Sequence, residues 1–95
     1  MQFVSISRRR TDEFPPEAFT AELVGGEAKR VKALYASGIL RHVWKRGDAG
    51  GAVILWEAAS VAEVQLALES LPLFQAGLLA VETVVPLEPY AGFAS

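Results

Sequence analysis

The chain has no cysteine and a single histidine among its 95 residues. Without cysteine there is no disulfide framework, and one histidine gives a zinc or iron site almost no ligands to draw on. No apolar run approaches the ~20 residues that a membrane-spanning helix needs, and the N-terminus has no charged segment leading into an apolar signal core. These absences predict a cytoplasmic protein that holds no metal and does not enter a membrane.

Neither sign of charge dominates. The formal net charge is -2, and the one basic run is Arg8 to Arg10. Such a run is more often a solvated strand end than a nucleic-acid site, so we expect no nucleic-acid partner. Half of the residues are hydrophobic, which suits one small domain over residues 1–95 that gains stability by association.

The stretch from Gly38 to Glu57 organises the predicted fold. Ile39 to Arg46 and Ala52 to Glu57 are rich in β-branched and aromatic residues and flank a Gly/Asp turn, which predicts a β-hairpin. The second strand is apolar throughout, so both of its faces should be covered. Strict alternation along the first strand predicts two mixed faces, namely Leu40, His42, Trp44 and Arg46 against Ile39, Arg41, Val43 and Lys45.

A first helix is predicted from about Pro16 to Ser37, with proline suited to its first turn and Gly38 suited to its end. Glu27 lies in the middle of the apolar stripe of this helix, which consists of Phe19, Leu23, Val31 and Leu34. Gly25 and Gly26 precede it, although a helix-interior glycine costs about 1 kcal/mol relative to alanine. The glycines therefore suggest that a substrate approaches the helix backbone at Gly26, beside Glu27.

The remaining elements complete a βαββαβ order. A first strand is predicted at Met1 to Ser7 and a last strand at Leu78 to Val85. A second helix begins with the Ser60 to Glu63 capping box and carries the apolar stripe Val61, Val64, Leu68 and Leu71. A loop at Leu71 to Phe74 follows this helix, and an irregular tail at Pro86 to Ser95 ends the chain. This order predicts an α+β, ferredoxin-like fold, in which two helices cover one face of a four-stranded antiparallel sheet. Since both faces of the strands are apolar, we expect the second face to be buried against another subunit in a homodimeric α+β barrel.

Glu27 has three open interpretations. A carboxylate in an apolar wall has its pKa raised by desolvation, toward the range in which a general base works near neutral pH. The same residue can instead form a structural ion pair with Arg30 or Arg41. It is exposed if the helix register differs.

The hairpin carries the other candidate site residues. His42 is a second catalytic candidate, or a packed strand residue. Trp44 and Trp56 are core residues, or walls of a pocket for a flat ligand. Arg41 and Lys45 share a predicted strand face and can clamp a carboxylate, or form strand-end ion pairs.

The spacing of these residues resembles that of the muconolactone isomerase family. In that family a helix glutamate precedes a Gly-x-x-Arg-His-Leu-Trp-Arg strand, and a Leu-Pro-Leu-Phe loop follows the second helix. The resemblance covers roughly positions 20 to 82 and is carried by Glu27, Leu34, Gly38, Arg41, His42, Trp44, Lys45, Trp56, Glu57, Ser60 and Leu71 to Phe74. It implies a dimeric α+β barrel, commonly built into a larger ring, that moves a proton around an unsaturated lactone without a cofactor in aromatic-compound breakdown.

Several positions depart from the family. Val4 and Ile6 stand where the family has basic residues, Ala52 and Ile54 stand where it has Asn and Ser, and no C-terminal histidine has a counterpart in residues 85–90. Each change removes a polar group, which favours a substrate less polar than muconolactone.

We therefore predict a proton-transfer isomerase for a small apolar or weakly acidic molecule, with Glu27 as base. His42, Arg41 or Lys45 would polarise the substrate. A cofactor-independent monooxygenase of the same barrel type is one alternative, and a non-catalytic binding or assembly module is another. An open cavity beside Glu27 favours either enzyme, whereas a filled one favours the module.

Overall fold

The four strands form one antiparallel sheet in the order β2-β3-β1-β4. The computed structural model describes residues 1–93. Its elements are β1 (Gln2–Arg9), a 3-10 turn (Pro16–Ala18), α1 (Ala21–Ser37), β2 (Leu40–Lys45), β3 (Ala52–Glu57), α2 (Val61–Glu69), α3 (Pro72–Gln75) and β4 (Leu79–Leu87). The predicted ferredoxin-like α+β fold is confirmed.

The predicted hairpin is confirmed, but its first strand contains an irregularity. Leu40 pairs with Trp56, whereas His42 pairs with Leu55, so Arg41 is an extra residue in a β-bulge. A bulge of one residue exchanges the faces of every side chain beyond it, because strand side chains alternate with a period of two.

The bulge corrects the predicted faces of β2. His42 and Trp44 pair with the residues of β3 that face away from the helices, while Val43 and Lys45 lie on the side of α1. Leu40 therefore does not share a face with His42 and Trp44. The rings of His42 and Trp44 remain neighbours on the outer side, with centroids 4.1 Å apart.

The core lies between the inner face of the sheet and the helices. Trp56 is fully buried there, and its Nε1 donates a hydrogen bond of 2.8 Å to Oγ of Ser5. Around it pack Phe3, Leu34, Leu40, Ile54, Val64, Leu68, Leu71, Leu73 and Leu78. Val61, predicted in the core stripe of α2, is instead half exposed.

Helix α1 starts later than predicted. The residues from Pro16 to Ala18 form a separate 3-10 turn, and Thr20 then caps α1 through its side chain, which accepts a hydrogen bond from the Leu23 N–H. A threonine oxygen at this place satisfies one of the free N–H groups of the first turn, so the helix begins here. Its end at Gly38 is as predicted, with φ at 88°.

The predicted loop at Leu71 to Phe74 is a short helix, α3. Pro72 stands at its first position, where a missing N–H costs nothing. The next N–H, that of Leu73, donates a hydrogen bond of 3.0 Å to Oε1 of Glu27 on α1. A contact across 46 residues of sequence therefore stabilises this turn.

Strand β4 runs further than predicted, to Leu87. Pro86 is tolerated in it because β4 is an edge strand, which leaves one side of its backbone without a hydrogen-bonding neighbour. The predicted irregular tail is shortened accordingly, and its last two residues lie outside the described residues.

The outer face of the sheet is apolar and no element of the chain covers it. The strand registers place on this face Val4, Ile6, Trp44, Val53, Leu55, Val85 and Leu87. Trp44 is 51% exposed and Val85 is 41% exposed. Within the described residues, no helix is long and apolar enough to cross a membrane.

Candidate functional site

A cavity of about 510 Å³ opens between α1 and the inner face of the sheet. Small residues are part of its lining, namely Ala28 on α1, Gly51 just before β3 and Ala52 at the start of β3. Its walls are mostly apolar and include Val24, Val31, Val43, Ile54, Leu71 and Leu79. The polar side chains that reach it are those of Ser7, Arg9, Glu27, Lys32 and Lys45.

Glu27 forms part of the α1 wall of this cavity and is partly buried. Burial raises the pKa of its carboxyl above the ordinary value, while the Leu73 N–H and the charge of Arg9 act in the opposite direction. The hydrogen bond from Leu73 uses Oε1, which fixes the orientation of the group and leaves Oε2 for a ligand. Glu27 is thus a positioned carboxylate with a raised pKa beside an open cavity.

The predicted ion pair of Glu27 is not present. Arg30 donates through Nε to Oγ of Ser70 at 2.9 Å, and Arg41 is exposed at the bulge of β2. Among residues 1–93, no cation forms a salt bridge with Glu27. Its structural partner is instead the backbone of α3.

Lys45, predicted as a substrate-binding residue, lies on the cavity wall, and so do two further cations, Arg9 and Lys32, that the sequence analysis did not single out. Arg9 was hidden in a basic run that we interpreted as a solvated strand end. It pairs with Leu79 of β4, both on the inner face. Side chains along β1 alternate between the two faces of the sheet, so an inward Phe3 predicts an inward Arg9.

The other predicted site residues are dispersed. Trp44 borders the cavity near the end of β2, next to Lys45, but the strand register places its side chain on the outer face beside His42. His42 belongs to a neighbouring groove of about 340 Å³ between α1 and β2, which also includes Tyr35. Arg41 and Trp56 are not among the residues that line the cavity. Trp56 is excluded from it because its ring is fully buried in the core.

Gly26 does not line the cavity either. A Cβ at this position would lie 3.6 Å from Cγ of Pro72, so the glycine faces α3. That distance is an ordinary contact, so α3, which carries the Leu73 N–H to Glu27, does not require a glycine here. Among the described residues, no group of three histidine, cysteine, aspartate or glutamate side chains is placed to hold a metal ion.

Comparison with solved structures finds this fold in two enzymes. Muconolactone isomerase superimposes with a TM-score of 0.76 at 23% identity, over 97% of this chain and 93% of that chain. The 5-chloro-2-hydroxyhydroquinone dehydrochlorinase of Burkholderia phenoliruptrix, in complex with 2,5-dihydroxybenzoquinone, superimposes with a TM-score of 0.71 at 19% identity, over 93% of this chain and 94% of that chain. At these identities the likeness concerns the fold.

The sequence itself identifies the family. No curated protein sequence matches the chain. The sequence model of the muconolactone delta-isomerase family, however, matches residues 1–92. The chain therefore belongs to the muconolactone delta-isomerase family.

Proposed function

We propose that the protein is a cytoplasmic, cofactor-free isomerase that moves a proton within a small lactone-like molecule during the breakdown of aromatic compounds. The observation that carries this proposal is the open cavity beside Glu27, whose carboxylate is oriented by the Leu73 N–H and has a raised pKa. A non-catalytic module would be expected to fill this space with side chains. The family and the activity in its name agree with the proposal.

The proposed reaction uses Glu27 twice. Its carboxylate removes a proton from a carbon activated by the lactone carbonyl, and the electron pair of the broken C–H bond passes into an enolate. Lys45 lies on the cavity wall and stabilises the negative charge that develops on the carbonyl oxygen. The protonated Glu27 then returns the proton to a different carbon, so the double bond moves and no oxidant or reductant is consumed.

The rate should depend on pH through Glu27. We expect kcat/KM on an unsaturated lactone to fall as pH drops through the pKa of Glu27, because the protonated carboxyl cannot accept a proton. This acidic limb should lie above the ordinary value of 4.5, since burial raises the pKa.

His42→Gln serves as the control, because His42 is the other catalytic candidate. The limb should persist in His42→Gln, because this side chain lies in the neighbouring groove. A limb that disappears in His42→Gln and stays in Glu27→Gln would assign the titration to the histidine. Initial rates between pH 4 and 8 measure both profiles.

We also propose that the protein works as a homodimer in which the outer sheet faces of two copies pack together. The uncovered face is apolar across all four strands. A two-fold pairing of this face is self-complementary, and it would bury the exposed Trp44 and Val85. Dimers of this kind can associate further into a ring.

Val4→Asp tests the assembly. It places a charge at the centre of the outer face, where burial without a partner costs several kcal/mol, so the dimer should dissociate into monomers. Leu66→Asp is the matched control, because Leu66 is 68% exposed on α2, away from the sheet face. Light scattering at micromolar concentration should give a monomer mass for Val4→Asp alone. A monomeric wild type, or a dimeric Val4→Asp variant, contradicts the assignment of this face.

A further inference from the structure

The three consecutive arginines of β1 have different surroundings. Arg8 forms ion pairs with Asp12 and Glu13, and Arg10 forms one with Glu13. Arg9 forms no ion pair in the part of the chain that the structure describes. It is the one of the three that lines the cavity, on the inner face of the sheet.

The backbone around Arg9 is fixed by the hairpin turn. The backbone N–H of Arg9 donates a hydrogen bond of 3.1 Å to the carbonyl oxygen of Gly50. A Cβ added at Gly50 would lie 3.3 Å from the Cβ of Arg9. The aliphatic stem of Arg9 therefore packs directly on Gly50. Because glycine has no side chain, the stem has space at the end of the cavity nearest the hairpin turn. This packing restricts the aliphatic stem of Arg9 before any ligand arrives, which reduces the entropic cost of binding.

The charges in the cavity do not balance. Arg9, Lys32 and Lys45 face a single carboxylate, that of Glu27. Cations that stand beside an apolar surface without partners favour a ligand that brings the missing negative charge. The apolar walls favour a carbon skeleton, and the planar guanidinium matches the two oxygens of a carboxylate.

We propose that Arg9 is a specificity-determining residue that binds a carboxylate on the ligand, so that the protein selects small organic acids over their neutral analogues. This inference corrects the expectation of a less polar substrate, which counted the polar groups lost at Val4, Ile6, Ala52 and Ile54. Two of these four, Val4 and Ile6, are on the outer face of the sheet, and the cavity obtains its positive charge from Arg9 and the two lysines instead. It rests on the proposed function only in taking the cavity as the substrate site.

The proposal is tested by binding, independently of turnover. Isothermal titration calorimetry would compare muconolactone, which carries a carboxylate, with its methyl ester, which has nearly the same shape and no charge. Wild type should bind the acid at least about 10-fold more tightly than the ester. Arg9→Gln should weaken binding of the acid about 10- to 100-fold, the range for loss of a charged hydrogen bond, and change binding of the ester less than 3-fold.

Two further variants keep the result interpretable. Arg8→Gln removes an equal charge from the same strand at an ion-paired position, and it should bind the acid as wild type does. Arg9→Lys keeps the charge without the planar fork and should recover part of the affinity. Circular dichroism checks that each variant is folded.

Equal affinity of wild type for the acid and the ester overturns the proposal. So does an equal loss for both ligands in Arg9→Gln, or a loss in Arg8→Gln as large as that in Arg9→Gln. Selective binding of the acid through Arg9, together with no isomerisation, would contradict the proposed reaction and leave the role of Arg9 supported.

Discussion

Glu27→Gln is expected to lower turnover of unsaturated lactones by roughly 10²- to 10⁴-fold, the usual contribution of a positioned general base. Glutamine has the same shape, and its amide oxygen can still accept the hydrogen bond that Leu73 donates to Oε1. The change therefore removes proton acceptance and little else. Initial rates on a panel of unsaturated lactones measure the effect.

The same variant should remain stable. Burial raises the pKa of Glu27, so the folded protein favours the protonated form, and stability falls as pH rises through this pKa. A neutral glutamine avoids that loss, so at pH 7 the melting temperature should be unchanged or slightly higher. If Glu27 formed an ion pair, Glu27→Gln would instead lower the melting temperature, because the substitution would leave a buried cation without its partner.

Glu22→Gln provides the matched control. Glu22 is an exposed residue in the first turn of the same helix, and its variant should retain wild-type turnover. If Glu27→Gln turns over the lactones as fast as wild type, Glu27 is not the base, and His42 becomes the next candidate.

Gly51→Ala is expected to destabilise the protein by roughly 3 kcal/mol. Gly51 has φ at 125°, and an added Cβ would lie 2.1 Å from the carbonyl oxygen of Ser7. Both atoms of that clash belong to or are fixed by the backbone, so β1 and the hairpin turn would have to separate. For a domain of this size the melting temperature should fall by about 10–20 °C.

Gly47→Ala is the control for this prediction, because it lies in the same turn and an added Cβ there meets nothing within 4 Å. Its melting temperature should stay within a few degrees of wild type. Thermal unfolding followed by circular dichroism compares the two variants. Equal melting temperatures would mean that the close approach of Gly51 to Ser7 is not a constraint in solution.

The sequence predicted the elements well where the signal is local. The Gly/Asp turn flanked by apolar strands specifies the hairpin, and the Ser60 to Glu63 capping box correctly marks the start of α2, with Oγ of Ser60 accepting the Glu63 N–H. The end of α1 at Gly38 follows from the left-handed conformation that glycine adopts without strain. Each of these features depends on residues close together in the chain.

Features that depend on long-range contacts were missed. The bulge at Arg41 is set by pairing with β3, and no alternation pattern within β2 reveals it, since polar and apolar residues occur on both faces. The helical form of Pro72 to Gln75 depends on Glu27, which lies 46 residues earlier than its partner Leu73. Pro86 suggested the end of a strand, and only the edge position of β4 makes it acceptable.

The candidate site was predicted in part for the same reason. Glu27 was identified because helical periodicity places it on a buried stripe, and the structure sets it in the cavity wall. Arg9 was missed because a run of three arginines does not indicate which of them points inward. The burial pattern of β1, buried at Phe3, Ser5 and Ser7, answers that question once the strand is known to continue to Arg9.

The central claim, that Glu27 transfers a proton in this cavity, is tested most directly by proton NMR of muconolactone incubated with the protein in D₂O. Wild type should shift the double bond and incorporate deuterium at the carbon next to the carbonyl, which receives the returned proton, because the carboxyl of Glu27 lies at an open cavity and equilibrates with solvent. Glu27→Gln at the same concentration should do neither above the uncatalysed rate. Exchange by Glu27→Gln at the wild-type rate, or a wild type that leaves every lactone of the panel unchanged, would contradict the account.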